Sequence, residues 1–204
     1  MNIGILALQG AFAAHEQAFS DLGVSVTRVK TPADLAGVDA LVLPGGESTT
    51  MSMLLDSSGL RTPLEIRLHD GFPVFGTCAG LIMLSSDIKD GRRDQRPLGA
   101  LSVTVRRNGY GRQIDSFETP IIVDDGAQQI EMNGVFIRAP RIEEVGSNVV
   151  VLSMANNDPV LVRQGNVLAA TFHPELGGNG YVHQLFLEIV EEIESPRHSK
   201  MVRN

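Results

Sequence analysis

An α/β fold is what this sequence predicts: a mixed, mostly parallel sheet with helices on both faces. Three observations lead there. Near-continuous apolar runs in the first half alternate with helical patterns, the way strands buried on both faces read. Glycine or proline follows the ends of several of those runs. The second half breaks into short strand-like segments separated by turn residues, which extends the sheet in a more antiparallel manner.

The elements follow in order. Residues 3–8 form the first apolar strand. Residues 11–22 read as a helix, with Phe12, Phe19 and Leu22 among its apolar positions and Gly23 just past its end, where a left-handed cap favours glycine. Residues 24–29 and 40–43 are the next strands, the latter stopped by Pro44-Gly45-Gly46. Ser48 starts another helix that reaches Leu55, and Val74 and Phe75 belong to a fourth strand running into Cys78. Strand candidates then fall at 101–106, 120–123, 135–137, 149–155, 160–163 and 167–172. Residues 87–96 are polar and charged and read as a solvated, mobile loop. Gly177-Gly178-Asn179-Gly180 is read as a turn and helix entry, followed by a closing amphipathic helix over 179–193. With no repeat and no long linker, residues 1–194 are expected to form a single domain and 195–204 a disordered tail.

Composition excludes several functions. Acidic residues outnumber basic ones 24 to 17, a formal charge of −7, so there is no general basic face for nucleic acid. Tryptophan is absent and aromatics are 5%, which leaves little for base stacking. No apolar run is long enough to span a bilayer. One cysteine cannot form an internal disulfide, and Met1-Asn2-Ile3-Gly4-Ile5 lacks the basic and apolar regions of a leader, so a cytoplasmic location is expected.

That cysteine carries the chemical signal. Gly76-Thr77-Cys78-Ala79-Gly80 sits between an apolar strand and an apolar helix, the thiol version of a nucleophile elbow. Such a turn lifts the sulfur from the sheet edge onto a helix N-terminus, where the dipole and free N–H groups favour thiolate. A cysteine nucleophile needs a base, and the base an orienting group. His173 ends an apolar strand, and Glu175 lies two residues on across Pro174, placed to hold the imidazole tautomer. The spacing of His173, Glu175 and His183 matches no zinc pattern, so no metal is expected. His15, His69 and His198 are assigned ordinary surface or core roles. The glycine pair Gly45-Gly46 lets backbone N–H groups approach a ligand, as stabilising an acyl-transfer oxyanion requires. Gln9-Gly10, Gly45-Gly46 and Cys78 all follow strand ends, so all three could line the crevice beyond the carboxyl edge of the sheet.

Together these strings resemble the class I (triad) glutamine amidotransferases, a three-layer, flavodoxin-like fold, and within them the glutaminase subunits of pyridoxal 5′-phosphate synthase. The resemblance runs from residue 3 to about residue 193. It rests on Ala7-Leu8-Gln9-Gly10, Leu43-Pro44-Gly45-Gly46-Glu47-Ser48-Thr49-Thr50, the elbow, Arg107-Asn108 with Gly111-Arg112-Gln113, Phe136-Ile137-Arg138-Ala139-Pro140, and Phe172-His173-Pro174-Glu175. Ile82 stands where many other class I members carry glutamine. The resemblance implies hydrolysis of L-glutamine to glutamate and ammonia through a glutamyl thioester on Cys78, with His173 and Glu175 completing the triad. It implies an oxyanion hole from Gly46 and Ala79, and glutamine contacts at Gly46, Glu47, Ser48, Arg107, Ile137 and Arg138. Arg107, a fork-shaped cation, suits the α-carboxylate, and Glu47 the α-ammonium. No cofactor is implied. The implied partner is a (β/α)8-barrel synthase in a complex of twelve copies of each subunit, with docking that reorders Gln9, Gly10 and Gly45. A DJ-1-like cysteine hydrolase or chaperone and the glutaminase subunit of another amidotransferase are the rival readings.

Overall fold

The computed structural model describes residues 1–109 and 116–201, with side chains through residue 193. The first half is β1 (Asn2–Leu6), α1 (Phe12–Asp21), β2 (Ser25–Val29), α2 (Pro32–Ala36), β3 (Ala40–Leu43), α3 (Ser48–Ser57), α4 (Arg61–His69), β4 (Val74–Thr77) and α5 (Ala79–Leu84). The second half is β5 (Ser85–Lys89), β6 (Leu101–Arg106), β7 (Ser116–Asp124), β8 (Gln129–Ile137), β9 (Arg141–Val145), β10 (Val150–Ala155), β11 (Asp158–Gln164) and β12 (Val167–Ala170). A single 3₁₀ turn, Pro174–Leu176, then leads to α6 (Tyr181–Met201).

Seven strands form the central sheet in the order β10-β11-β12-β4-β3-β1-β2. The five from β12 to β2 are parallel, while β10 and β11 extend the edge antiparallel. Alternation along the strands shows why helices cover both faces. Ile3, Ile5, Ala40 and Val42 enter one apolar core, with Phe19 of α1 and Phe186 and Ile189 of α6. Their neighbours Leu6, Leu41 and Leu43 enter the other, with Met51 of α3, Leu64 of α4 and Leu81 of α5. Successive side chains point to opposite faces, so a strand apolar at every position must be covered twice. Each fully buried Leu, Ile or Phe contributes roughly 1.5–3 kcal/mol.

The second half departs from expectation in three ways. Only β10, β11 and β12 join the central sheet; β5, β6 and β9 make a three-stranded sheet of their own, and β7 and β8 a hairpin. These smaller sheets pack their apolar sides onto the two cores, Val103, Val105 and Ile142 on one and Ile121, Val123 and Phe136 on the other. Residues 87–96, read as a solvated loop, begin inside β5 and are then pinned to α3. Gln95 is buried, with its Oε1 accepting from Thr49 Oγ1 at 3.3 Å, and Arg96 pairs with Asp56 at 2.6 Å. Finally, α6 continues to Met201 across the segment expected to be a tail, and residues 202–204 lie outside the described residues. No sequence pattern predicts the short helices α2 and α4 or the strands β5 and β9, because each is brief or poor in apolar residues; α4, RTPLEIRLH, buries only Arg61 and Leu64.

Candidate active site

The site lies beyond the carboxyl ends of β3, β4 and β12. Cys78 occupies the turn between β4 and α5 with φ 49° and ψ −102°. A non-glycine residue held there costs of order 1–3 kcal/mol. The surroundings fix it. Cys78 N–H donates to Ala170 O of β12 at 2.9 Å. Gly76 and Gly80 allow a contact no other residues would: a Cβ on Gly80 would lie 2.0 Å from Leu43 O, and one on Gly76 would lie 2.7 Å from the Gly80 carbonyl carbon. The elbow is therefore wedged against the end of β3.

His173 follows β12, with its N–H donating to Val135 O of β8 at 2.8 Å. Its ring packs edge-on to Gly45, where a Cβ would meet His173 Cε1 at 2.4 Å. Nδ1 is 2.7 Å from Glu175 Oε1, and the Glu175 side chain is fully buried. Burial is the largest influence on His173 and opposes its charge, but hydrogen bonding and charge from Cys78 and Glu175 together outweigh it and raise the imidazole to about 10. Burial pushes Glu175 upward; the imidazole hydrogen bond and the nearby His15 and His173 prevail and hold its carboxyl below the usual range.

Cys78 and His173 line one cavity of about 270 Å³, together with Gly46, Glu47, Ser48, Arg107, Ile137 and Arg138. Every residue expected at the glutamine site is thus in one place. Cys78 Sγ lies 3.9 Å from Ile137 O. Arg138, at φ 43°, turns the chain at the end of β8 into the cavity rim. Ala79 is buried behind Cys78 as the first residue of α5, and Gly46 forms wall. Gln9 and Gly10 stand behind that wall. Gln9 Oε1 accepts from Glu47 N–H at 3.2 Å and its Nε2 donates to Glu47 O at 3.3 Å, while Ala11 N–H donates to Gly45 O at 3.0 Å.

The headgroup residues hold an arrangement no spacing revealed. Arg107 Nη2 lies 2.8 Å from Glu47 Oε1, so the cation and the carboxylate pair with each other. Glu47 also caps α3, accepting from Thr49 N–H at 3.0 Å and from Thr50 N–H and Oγ1–H, both at 2.7 Å. Partial burial works against its charge, but those donors hold its carboxyl down to about 2. Ser48 Oγ is buried in the cavity wall without a hydrogen-bond partner among the described residues. Gly45 also lines the cavity, and Ala11, Ile82, Asn108 and Leu176, to which the sequence assigns no site role, complete it. Ile82 had a readable signal, standing one helical turn after Cys78. The expected Gly111-Arg112-Gln113 string lies outside the described residues. Among the described residues no group of three or more His, Cys, Asp or Glu could hold a metal ion, and no helix is long and apolar enough to cross a membrane.

The family model of the SNO glutamine amidotransferases matches residues 5–192. The chain belongs to that family. Similar proteins include "Pyridoxal 5'-phosphate synthase subunit PdxT" of Frankia alni, 49% identical over 96% of this chain and 98% of that protein. The protein of the same name from Mycobacteroides abscessus is 52% identical over 92% of this chain and 96% of its own length. A solved structure titled "Crystal structure of glutamine amidotransferase" superposes with a TM-score of 0.86 at 43% identity, covering 93% of this chain and 98% of that one.

Proposed function

We propose that the chain is the glutaminase of a pyridoxal 5′-phosphate synthase, hydrolysing L-glutamine to glutamate and ammonia in vitamin B6 biosynthesis. The observation that carries this is the shared cavity: a thiol on a strained elbow, an imidazole with its Nδ1 on a buried carboxylate, and a cation–carboxylate pair at the far wall. Glutamine's zwitterionic end would seat its carboxylate beside Arg107 and its ammonium beside Glu47. Both charges are already formed there, and the zwitterion would share or replace their mutual contact at 2.8 Å.

In this reading His173, charged at neutral pH, already holds the proton it shares with Cys78, and Sγ attacks the side-chain amide carbon. N–H groups of Gly46 and Ala79 receive the charge that develops on the carbonyl oxygen. The imidazolium then protonates the departing nitrogen, so ammonia leaves and a glutamyl thioester remains. Water, deprotonated by His173, cleaves the thioester to glutamate and restores the proton that His173 shares with sulfur. Glu175 keeps the imidazole's Nε2 turned toward the sulfur throughout. Thiol, imidazole and backbone amides supply every step, so none is routed through a cofactor.

The relatives are named as synthase subunits, which supports a partner that consumes the ammonia. We take that partner to be a (β/α)8 barrel in a twelve-plus-twelve complex in the cytoplasm. We take docking to rearrange Gln9, Gly10 and Gly45, where Gln9 is hydrogen-bonded to Glu47 and Gly10 lies against Gly45. The test is ammonia release from glutamine with and without the synthase, for the native chain and Cys78→Ala. The expected result is release only with both synthase and Cys78. Undiminished release from Cys78→Ala would sink the mechanism, and equal rates with and without synthase would sink the activation.

A further inference from the structure

The triad does not end at Glu175. His15 of α1 and His183 of α6 are both completely buried directly behind it. His15 Nε2 lies 3.4 Å from Glu175 Oε2 and 3.1 Å from Thr77 Oγ1, the residue before the nucleophile. His15 Nδ1 lies 2.9 Å from His183 Nε2. Among the described residues neither Glu175 Oε2 nor His183 Nδ1 has a hydrogen-bond partner, so the 3.4 Å approach of His15 Nε2 to that oxygen is a charge–dipole contact. A buried carboxylate with one oxygen on His173 and the other facing an imidazole nitrogen needs that nitrogen to carry a proton.

We infer that His15 and His183 are positioning residues for the hydrolysis proposed above: His15 Nε2–H steadies Glu175 Oε2, and His183 Nε2–H donates to His15 Nδ1 to fix that tautomer. The inference rests on the glutaminase reading for its kinetic consequence but not for its tautomers.

The opposite assignment fails on two counts. With its proton on Nδ1, His15 would turn a lone pair toward the Glu175 carboxylate at 3.4 Å. His183 would then carry its proton on the partnerless Nδ1, leaving a buried orphan donor, which native structures avoid more strictly than an under-used acceptor. A charged form fails as well. Burial lowers His15, outweighing the pull of Glu175, and lowers His183 to about 3, with the neighbouring His15 adding to it. The titratable groups facing His15 are Glu175 and His173 from the turn after β12 and His183 from α6; Thr77 and the ring of Phe75 face it from β4. A rigid wall of Phe19, Phe75 and Phe186 surrounds the pair.

Two measurements test this. Two-bond proton–nitrogen spectra of the full chain, labelled with ¹⁵N-histidine, read the tautomers directly. Both rings should be neutral with protons on Nε2 from about pH 6 to pH 8. A proton on Nδ1 of either ring, or a charged ring in that range, overturns the inference whether or not the chain turns over glutamine. With the synthase bound, His15→Phe keeps the ring volume but removes the donor. Its kcat should fall by about two- to tenfold, less than the loss of a full hydrogen bond to a charged group would cause. KM should stay within about twofold, because no substrate contact is lost. The acid limb of its pH profile should move upward, since Glu175 holds a proton more readily without the donor. His15→Gln, whose Nε2 can reach the same oxygen, should restore both. Native kcat and an unmoved acid limb in His15→Phe would refute the role, whereas a native complex inactive on glutamine would refute the glutaminase reading and leave the tautomers to be judged on their own.

Discussion

Gly45→Ala isolates the packing of the base from its chemistry. The added methyl would lie 2.4 Å from His173 Cε1 and 3.0 Å from Nδ1. Ordinary contact begins at 3.4 Å, so the ring or the loop must give by about 1 Å. The ring has nowhere to give: Nδ1 is held at 2.7 Å by a buried carboxylate, and a retreat of that size turns a short hydrogen bond into a contact too long to count. Gly45 does not hold a positive φ, so the backbone accepts alanine and the effect is steric. Overpacking of this kind costs about 1–3 kcal/mol of stability. Misplacing a catalytic group by about 1 Å costs on the order of a hundredfold in rate. The assay is ammonia release by the synthase-bound variant, with urea unfolding alongside. The expected outcome is a variant that still folds but has lost about two orders of magnitude in kcat. Undiminished turnover with native stability would show that His173 does not depend on the glycine wall, and the account of the base would be wrong.

Two further outcomes follow from the charged groups. Arg107→Ala should raise the KM for glutamine by at least about tenfold, the value of one charge-assisted pair, while Arg106→Ala should leave it unchanged; equal effects in steady-state kinetics would overturn the assignment of the carboxylate site. Glu47 sits at about 2 in the folded chain, below its ordinary 4.5, so it adds stability above the ordinary value that is lost as pH falls toward the folded one. Its side chain is 51% exposed, so solvent screening cuts the contribution to about 1 kcal/mol. Urea unfolding at about pH 6 and pH 3 should show that loss in the native chain and not in Glu47→Gln.

Arg106 and Arg107 mark where sequence reading stops. They are adjacent with equal charge, and nothing local separates them. In the structure Arg106 pairs with Glu143 at 2.5 Å and Asp90 at 2.7 Å, on the small sheet, while Arg107 reaches Glu47 and the cavity. β6 ends at Arg106, whose register against β5 and β9 sets it beside Asp90 and Glu143, while Arg107 stands in the turn that follows and is free to reach across to Glu47. The pairing of Glu47 with Arg107 was invisible for the same reason, the two being 60 residues apart. His15 read as an ordinary helix residue because its partners come from β4, α6 and the turn after β12.

What the sequence determined by itself was local. Glycines flanking a cysteine impose the elbow, because any Cβ there strikes backbone, and apolar runs at every position impose a sheet covered on both faces. His-x-Glu across a proline puts base and orienter within reach of each other. The tertiary structure decided everything that depends on which surfaces meet: the separation of the second half into three sheets, the pinning of residues 87–96 to α3, and the buried histidines behind the triad. Covalent neighbours and periodicity constrain conformation directly, whereas partners distant along the chain are chosen by shared burial, which is settled only once the whole core has assembled.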